Sequence, residues 1–127
     1  ANIGRGRAEP AVVVVGGSIN DAGEDPRAVG ASARRLYAYL ARVDPAAKVV
    51  VVVFSPRIPA PANFAALDKA VLDAAGASPN VVGALDLPSA VPRTAAGVQA
   101  ADGHPTQAGH DLYGRLIADF VRARTRR

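Results

Sequence analysis

The chain has 127 residues, half of them apolar, which suits one domain with a real core and excludes an intrinsically disordered chain. The lack of cysteine excludes disulfides and thiolate metal sites, and 15 basic against 11 acidic residues leave a formal net charge of +4. Basic residues do not interleave with the few aromatics, which argues against a nucleic-acid surface, and the longest apolar run, Ala11 to Val15, is too short to span a bilayer.

The opening residues lack the charged and apolar regions of a signal peptide. The first residue is alanine, as expected of a chain trimmed at its start, and a removed signal would imply a secreted or cell-envelope protein. Ala11 to Val15 is the first predicted strand, β-branched and apolar on both faces, as in a parallel sheet with helices on its two sides. Asp25 is placed to cap a helix from Pro26 to Val43, in which Val29, Ala33, Leu36, Leu40 and Val43 form one buried stripe; Asp44-Pro45 ends it. Val49 to Phe54 is the second strand. Phe64, Leu67, Val71 and Leu72 repeat at helical spacing, and Gly76 falls where a left-handed cap residue is wanted.

A weaker third strand, Val81 to Leu85, is followed by an irregular stretch from Leu87 to Ala101, long enough to be a functional loop. The last helix starts near Thr106, a suitable N-cap, and carries Leu112, Leu116, Ile117, Phe120 and Val121 on one side. Arg122, Arg124, Arg126 and Arg127 suit the negative end of its dipole. The alternation predicts a single α/β domain over residues 1–127 with a parallel sheet. Three such apolar strands make a thin sheet, so at least one edge strand is expected to be missing.

In a parallel sheet, ligands bind beyond the carboxyl ends of the strands. Three segments qualify: Gly16 to Asp21, Ser55 to Arg57, and the loop leading to Asp102 and His104. Gly16 and Gly17 would turn the backbone sharply and leave an N–H open, and Asn20 offers an amide donor, together a seat for an oxyanion. The plain structural alternative is an Asx-rich turn entering a helix. No Walker-type or Gly-x-Gly-x-x-Gly pattern supports a phosphate site. His104, before Pro105 and ahead of a helix, sits at the mouth of the sheet with Asp102 two positions earlier, a pairing suited to a general base and its orienting carboxylate. His110 falls on the first helical turn as a packing or surface residue, and the spacing of the two histidines matches no zinc pattern.

Val-Val-Val-Val-Gly-Gly-Ser-Ile-Asn-Asp, followed at a distance by Asp-Gly-His-Pro-Thr-Gln-Ala-Gly-His and a terminal amphipathic helix, resembles the third and fifth conserved blocks of the SGNH (GDSL-type) serine hydrolases. The resemblance spans essentially the whole chain. It implies a three-layer flavodoxin-like fold, ester hydrolysis through a covalent acyl-enzyme, and no cofactor or metal. Asn20 maps to the oxyanion donor, His104 to the general base, and Gly17 to the glycine of block three. Block three usually reads Gly-x-Asn-Asp, whereas two residues separate Gly17 from Asn20 here. Block five usually places its Asp three residues before the His, whereas Asp102 is two before His104, which leaves Asp102, Asp86 or a backbone carbonyl to orient the imidazole.

The family's Gly-Asp-Ser block is absent from these residues, so the nucleophile is expected in an N-terminal segment of the same protein, with the substrate a small-molecule, lipid or carbohydrate ester. Arg57 and the Leu87 to Ala101 loop are positioned to shape the pocket. A competing enzyme reading takes Ser18 as the nucleophile, with Asp86 and His104 following in the α/β-hydrolase order; a third reading is a non-catalytic binding module.

Overall fold

The computed structural model describes residues 12–17, 19–55, 63–92 and 94–126. Ala11, Ser18, Arg57 and Arg127, each given a part by the sequence, lie outside the described residues. The elements run β1 (Val12–Gly17), a 3-10 turn (Ile19–Asp21), α1 (Pro26–Val43), β2 (Lys48–Val53), α2 (Phe64–Gly76), β3 (Val81–Asp86), α3 (Leu87–Ala90) and α4 (Gln107–Thr125). The three strands form one parallel sheet in the order β1-β2-β3, so both crossovers return to the neighbouring strand.

β2 is the centre of the molecule. Val49 to Val53 are all fully buried because successive side chains face opposite layers. Val49, Val51 and Val53 pack with Tyr37 and Leu40 of α1 and with Val71, Ala74 and Ala75 of α2. Val50 and Val52 pack with Leu87 of α3, with Val91 and Val98, and with Leu112, Leu116, Ile117 and Phe120 of α4. Each buried valine contributes about 1.5–3 kcal/mol relative to an exposed one. The run that reads as apolar on both faces is therefore sandwiched between helical layers.

The starts of α1 and α4 follow the sequence closely. The Asp25 carboxylate accepts a hydrogen bond from the Arg27 N–H at 3.0 Å, with Pro26 in the first turn. The Thr106 hydroxyl accepts from the Gly109 N–H at 3.2 Å. At the far end of α4, the Lys48 ammonium donates to the Thr125 carbonyl, placing a cation at the negative end of the helix dipole.

Three expectations are corrected here. Leu36 and Val43 are exposed at 42% and 39%, because α1 is rotated to bury Tyr37 and Leu40, and its Gly30 lies where a Cβ would come within 3.3 Å of Ala70 on α2. Gly76 is the last residue of α2 and has no positive φ; the helix ends through the Ala77 N–H and the Ser78 hydroxyl, which donate to the carbonyls of Asp73 and Ala74. The stretch from Leu87 opens with the short helix α3, capped by Asp86, rather than running as irregular chain.

Among the described residues, β1 is covered on one face alone. Val13 and Val15 join the core under α1, while Val12 and Val14 on the opposite face are 41% and 47% exposed. The α4 layer lies over β2 and β3, and β1 pairs with β2 alone among the described strands.

Candidate active site

Both segments that carry candidate residues follow the carboxyl end of the sheet. At the end of β1, Gly16 and Gly17 are strand residues, and the sharp turn expected of them falls instead on Gly23, whose φ of 92° suits a residue without a Cβ. Gly16 has a different purpose: a Cβ there would stand 2.7 Å from the Phe54 ring, which lies directly against the strand. The Gly17 carbonyl accepts a hydrogen bond from the Phe54 N–H at 3.3 Å, and the space around its α-carbon is open.

Asn20 sits on the 3-10 turn, exposed, with its side chain bonded to no described residue. The turn is closed by the Glu24 N–H donating to the Asp21 carbonyl. Gly17, Asn20 and Asp21 line a groove of about 420 Å³ between β1 and α1, whose other wall includes Ser32, Ala33 and Leu36.

On the other side of Phe54, His104 is held by its backbone. Its carbonyl accepts from the Ala100 N–H at 2.9 Å, and its N–H donates to the Asp102 carboxylate at 3.0 Å. Gly103, with a φ of 86°, allows the reversal that brings the two residues together, and Gln99 bridges Pro105 across the loop. The second Asp102 oxygen stands 3.4 Å from His104 Nδ1, within ion-pair distance though longer than a hydrogen bond. The hydrogen bond from the His104 backbone holds the Asp102 carboxyl below the usual carboxylate range, with the imidazole charge assisting. Both side chains are well exposed, so solvent screens the pair.

Asp86 does not reach the imidazole as an alternative partner. Its two carboxylate oxygens accept from the Ser89 N–H and the Ser89 hydroxyl at 3.1 and 2.6 Å, which commits it to capping α3. Of the residues considered to orient His104, Asp102 is the one in contact with it. His110 is exposed on the first turn of α4, where its N–H donates to the Thr106 carbonyl.

The loop is clamped by a close approach that the sequence did not signal. At Gly109 a Cβ would fall 2.0 Å from the Val98 carbonyl oxygen and 3.2 Å from Pro105, and that same carbonyl accepts from the Thr106 N–H. Gly109→Ala is therefore expected to push the His104 loop off α4 and to cost about 3 kcal/mol, read as a lower denaturation midpoint. Gly114, exposed on the same helix with nothing within 4 Å, is the control; its replacement by alanine is expected to raise the midpoint.

A second cavity, of about 170 Å³, lies between the carboxyl ends of β2 and β3 and the α4 layer. Phe54, Ser55, Leu87, Gly103, Pro105 and Tyr113 are among the residues lining it. The structure thus brings Asn20 and His104 to one end of the sheet, on either side of Phe54; Asn20 lines the larger of these two cavities and His104 lines neither. Comparison of the chain with protein-family models, with curated proteins and with solved structures returns no match.

Proposed function

We propose that this chain is the carboxyl-terminal part of an SGNH (GDSL-type) serine hydrolase of flavodoxin-like fold, acting on carboxylic esters. The observation that carries the reading is the pairing of His104 with Asp102 at the same sheet end as the Asn20 amide, which bonds to no described residue. In this reading a serine Oγ attacks the ester carbonyl carbon while His104 takes its proton. The tetrahedral intermediate collapses, the C–O bond to the alcohol breaks, and His104 returns the proton to the departing oxygen. Water then cleaves the acyl-enzyme by the same sequence, releasing the acid and restoring the serine. Asn20, with Gly17 beside it, donates to the oxyanion, and Asp102 keeps the imidazole in the tautomer that leaves Nε2 free to accept the proton.

The serine comes from a segment outside these 127 residues. Among the described residues β1 is an edge strand with Val12 and Val14 bare on one face, a surface suited to a further strand and helix. The commitment of Asp86 to Ser89 weighs against a triad of Ser18, Asp86 and His104.

Treating the intact protein with a fluorophosphonate tests the reading, since the reagent labels activated serines. Peptide mapping is expected to place the adduct on a serine outside this chain. An adduct on Ser18 would overturn the assignment of the nucleophile, and no adduct at all would overturn the hydrolase itself.

A further inference from the structure

The chain folds back on itself between Gln99 and Pro105, which bridge across the reversal. The Gly103 N–H donates to the Ala100 carbonyl at 3.0 Å, and Gly103 takes its φ of 86° at the turn. The Gln99 side chain reaches over this turn, and its Nε2 donates to the Gly103 carbonyl at 2.8 Å. The other end of that same peptide unit is the His104 N–H, which donates to the Asp102 carboxylate at 3.0 Å. A peptide unit is planar, so its carbonyl and its N–H turn together. The unit joining Gly103 to His104 is therefore pinned at both ends, by an amide at its oxygen and a carboxylate at its nitrogen. Pinning matters at this place because Gly103 has no Cβ to restrict the rotation of the plane that follows it. Such a rotation would carry the His104 N–H away from Asp102. The second Asp102 oxygen, 3.4 Å from His104 Nδ1, would then lose the bond that fixes its place beside the imidazole.

We infer that Gln99 is a positioning residue for the Asp102–His104 pair: by holding the Gly103 carbonyl, its amide fixes the peptide plane through which His104 is bonded to Asp102. The consequence for turnover rests on the hydrolase reading, whereas the pinning of the peptide does not. What the position requires is a neutral donor of this length, since the group it meets is a carbonyl oxygen that can only accept. Methionine has a similar length and volume but no N–H to donate, so it separates the hydrogen bond from the space the side chain fills.

The test is Gln99→Met in the isotope-labelled intact protein, with Gln99→Ala beside it, followed by NMR of the Asp102 carboxyl and the His104 ring and by hydrolysis of p-nitrophenyl butanoate. The hydrogen bond from the His104 backbone holds the Asp102 carboxyl below the usual carboxylate range, so its titration is expected to move up toward that range once the plane is released. The Nδ1–H tautomer of His104 is expected to lose population, because the carboxylate that favours it is no longer held in place. The kcat is expected to fall about five- to tenfold with KM unchanged, the size of one ordinary hydrogen bond. A side chain that only fills space would leave Gln99→Met like the parent in all three readings. An unmoved Asp102 titration and an unchanged tautomer in either folded variant, or loss of folding by both, would overturn the positioning role. Neither NMR reading depends on turnover, so a protein that the fluorophosphonate fails to label would lose the hydrolase reading while the role of Gln99 is still decided.

Discussion

Replacing His104 by alanine is expected to reduce ester hydrolysis by the intact, serine-bearing protein at least about a thousandfold while leaving its fold unchanged. The expected loss is large because in the proposed mechanism one imidazole serves both half-reactions, first as base toward serine and then toward water. The fold should survive because the loop is held by groups other than the ring: the Ala100 N–H on the His104 carbonyl, the Asp102 carboxylate on its N–H, and the Thr106 N–H on the Val98 carbonyl. Steady-state hydrolysis of p-nitrophenyl butanoate, with an unfolding curve beside it, separates the two effects. Activity within a few-fold of the parent, with an unchanged unfolding midpoint, would remove His104 from the mechanism.

Asn20→Ala is expected to lower kcat by about a hundred- to a thousandfold with little change in KM. The split follows from where charge would develop in the proposed mechanism: the ester carbonyl is neutral in the ground state, and an amide donates most strongly to the oxygen once it becomes an oxyanion. Asn20 is exposed on a turn closed by the Glu24 N–H and followed by the left-handed Gly23, neither of which depends on the amide, so stability should hold. A change confined to KM would make Asn20 a substrate-binding residue and move the oxyanion seat elsewhere.

Local signals were legible wherever the cause was local. The Asp25 cap with Pro26 after it, and the Thr106 cap before α4, are set by hydrogen bonds spanning two or three residues, so both helix starts fall where the sequence predicts them. The Asp102–His104 pairing is equally local, since one carboxylate reaches the backbone N–H two residues on. Leu36 and Val43 were misread for the opposite reason. Periodicity gives the apolar stripe of α1, but which part of it is buried depends on how the helix is rotated over the sheet, and here Tyr37 and Leu40 take the buried face. Gly16 and Gly109 were beyond reach because their reasons are the Phe54 ring and the Val98 carbonyl, each brought in from another part of the chain.

By itself, the sequence determined an α/β chain with a parallel sheet, the starts of α1 and α4, and a histidine with a carboxylate at the mouth of that sheet, because caps, alternation and β-branched runs act over a few residues. Tertiary structure alone decided that Asp86 serves α3 rather than His104, that Val12 and Val14 of β1 are left exposed, and that Gly109 lies against the Val98 carbonyl. Those outcomes depend on which layers meet at the carboxyl ends of β2 and β3, and on contacts between residues distant in the chain that no short-range pattern encodes.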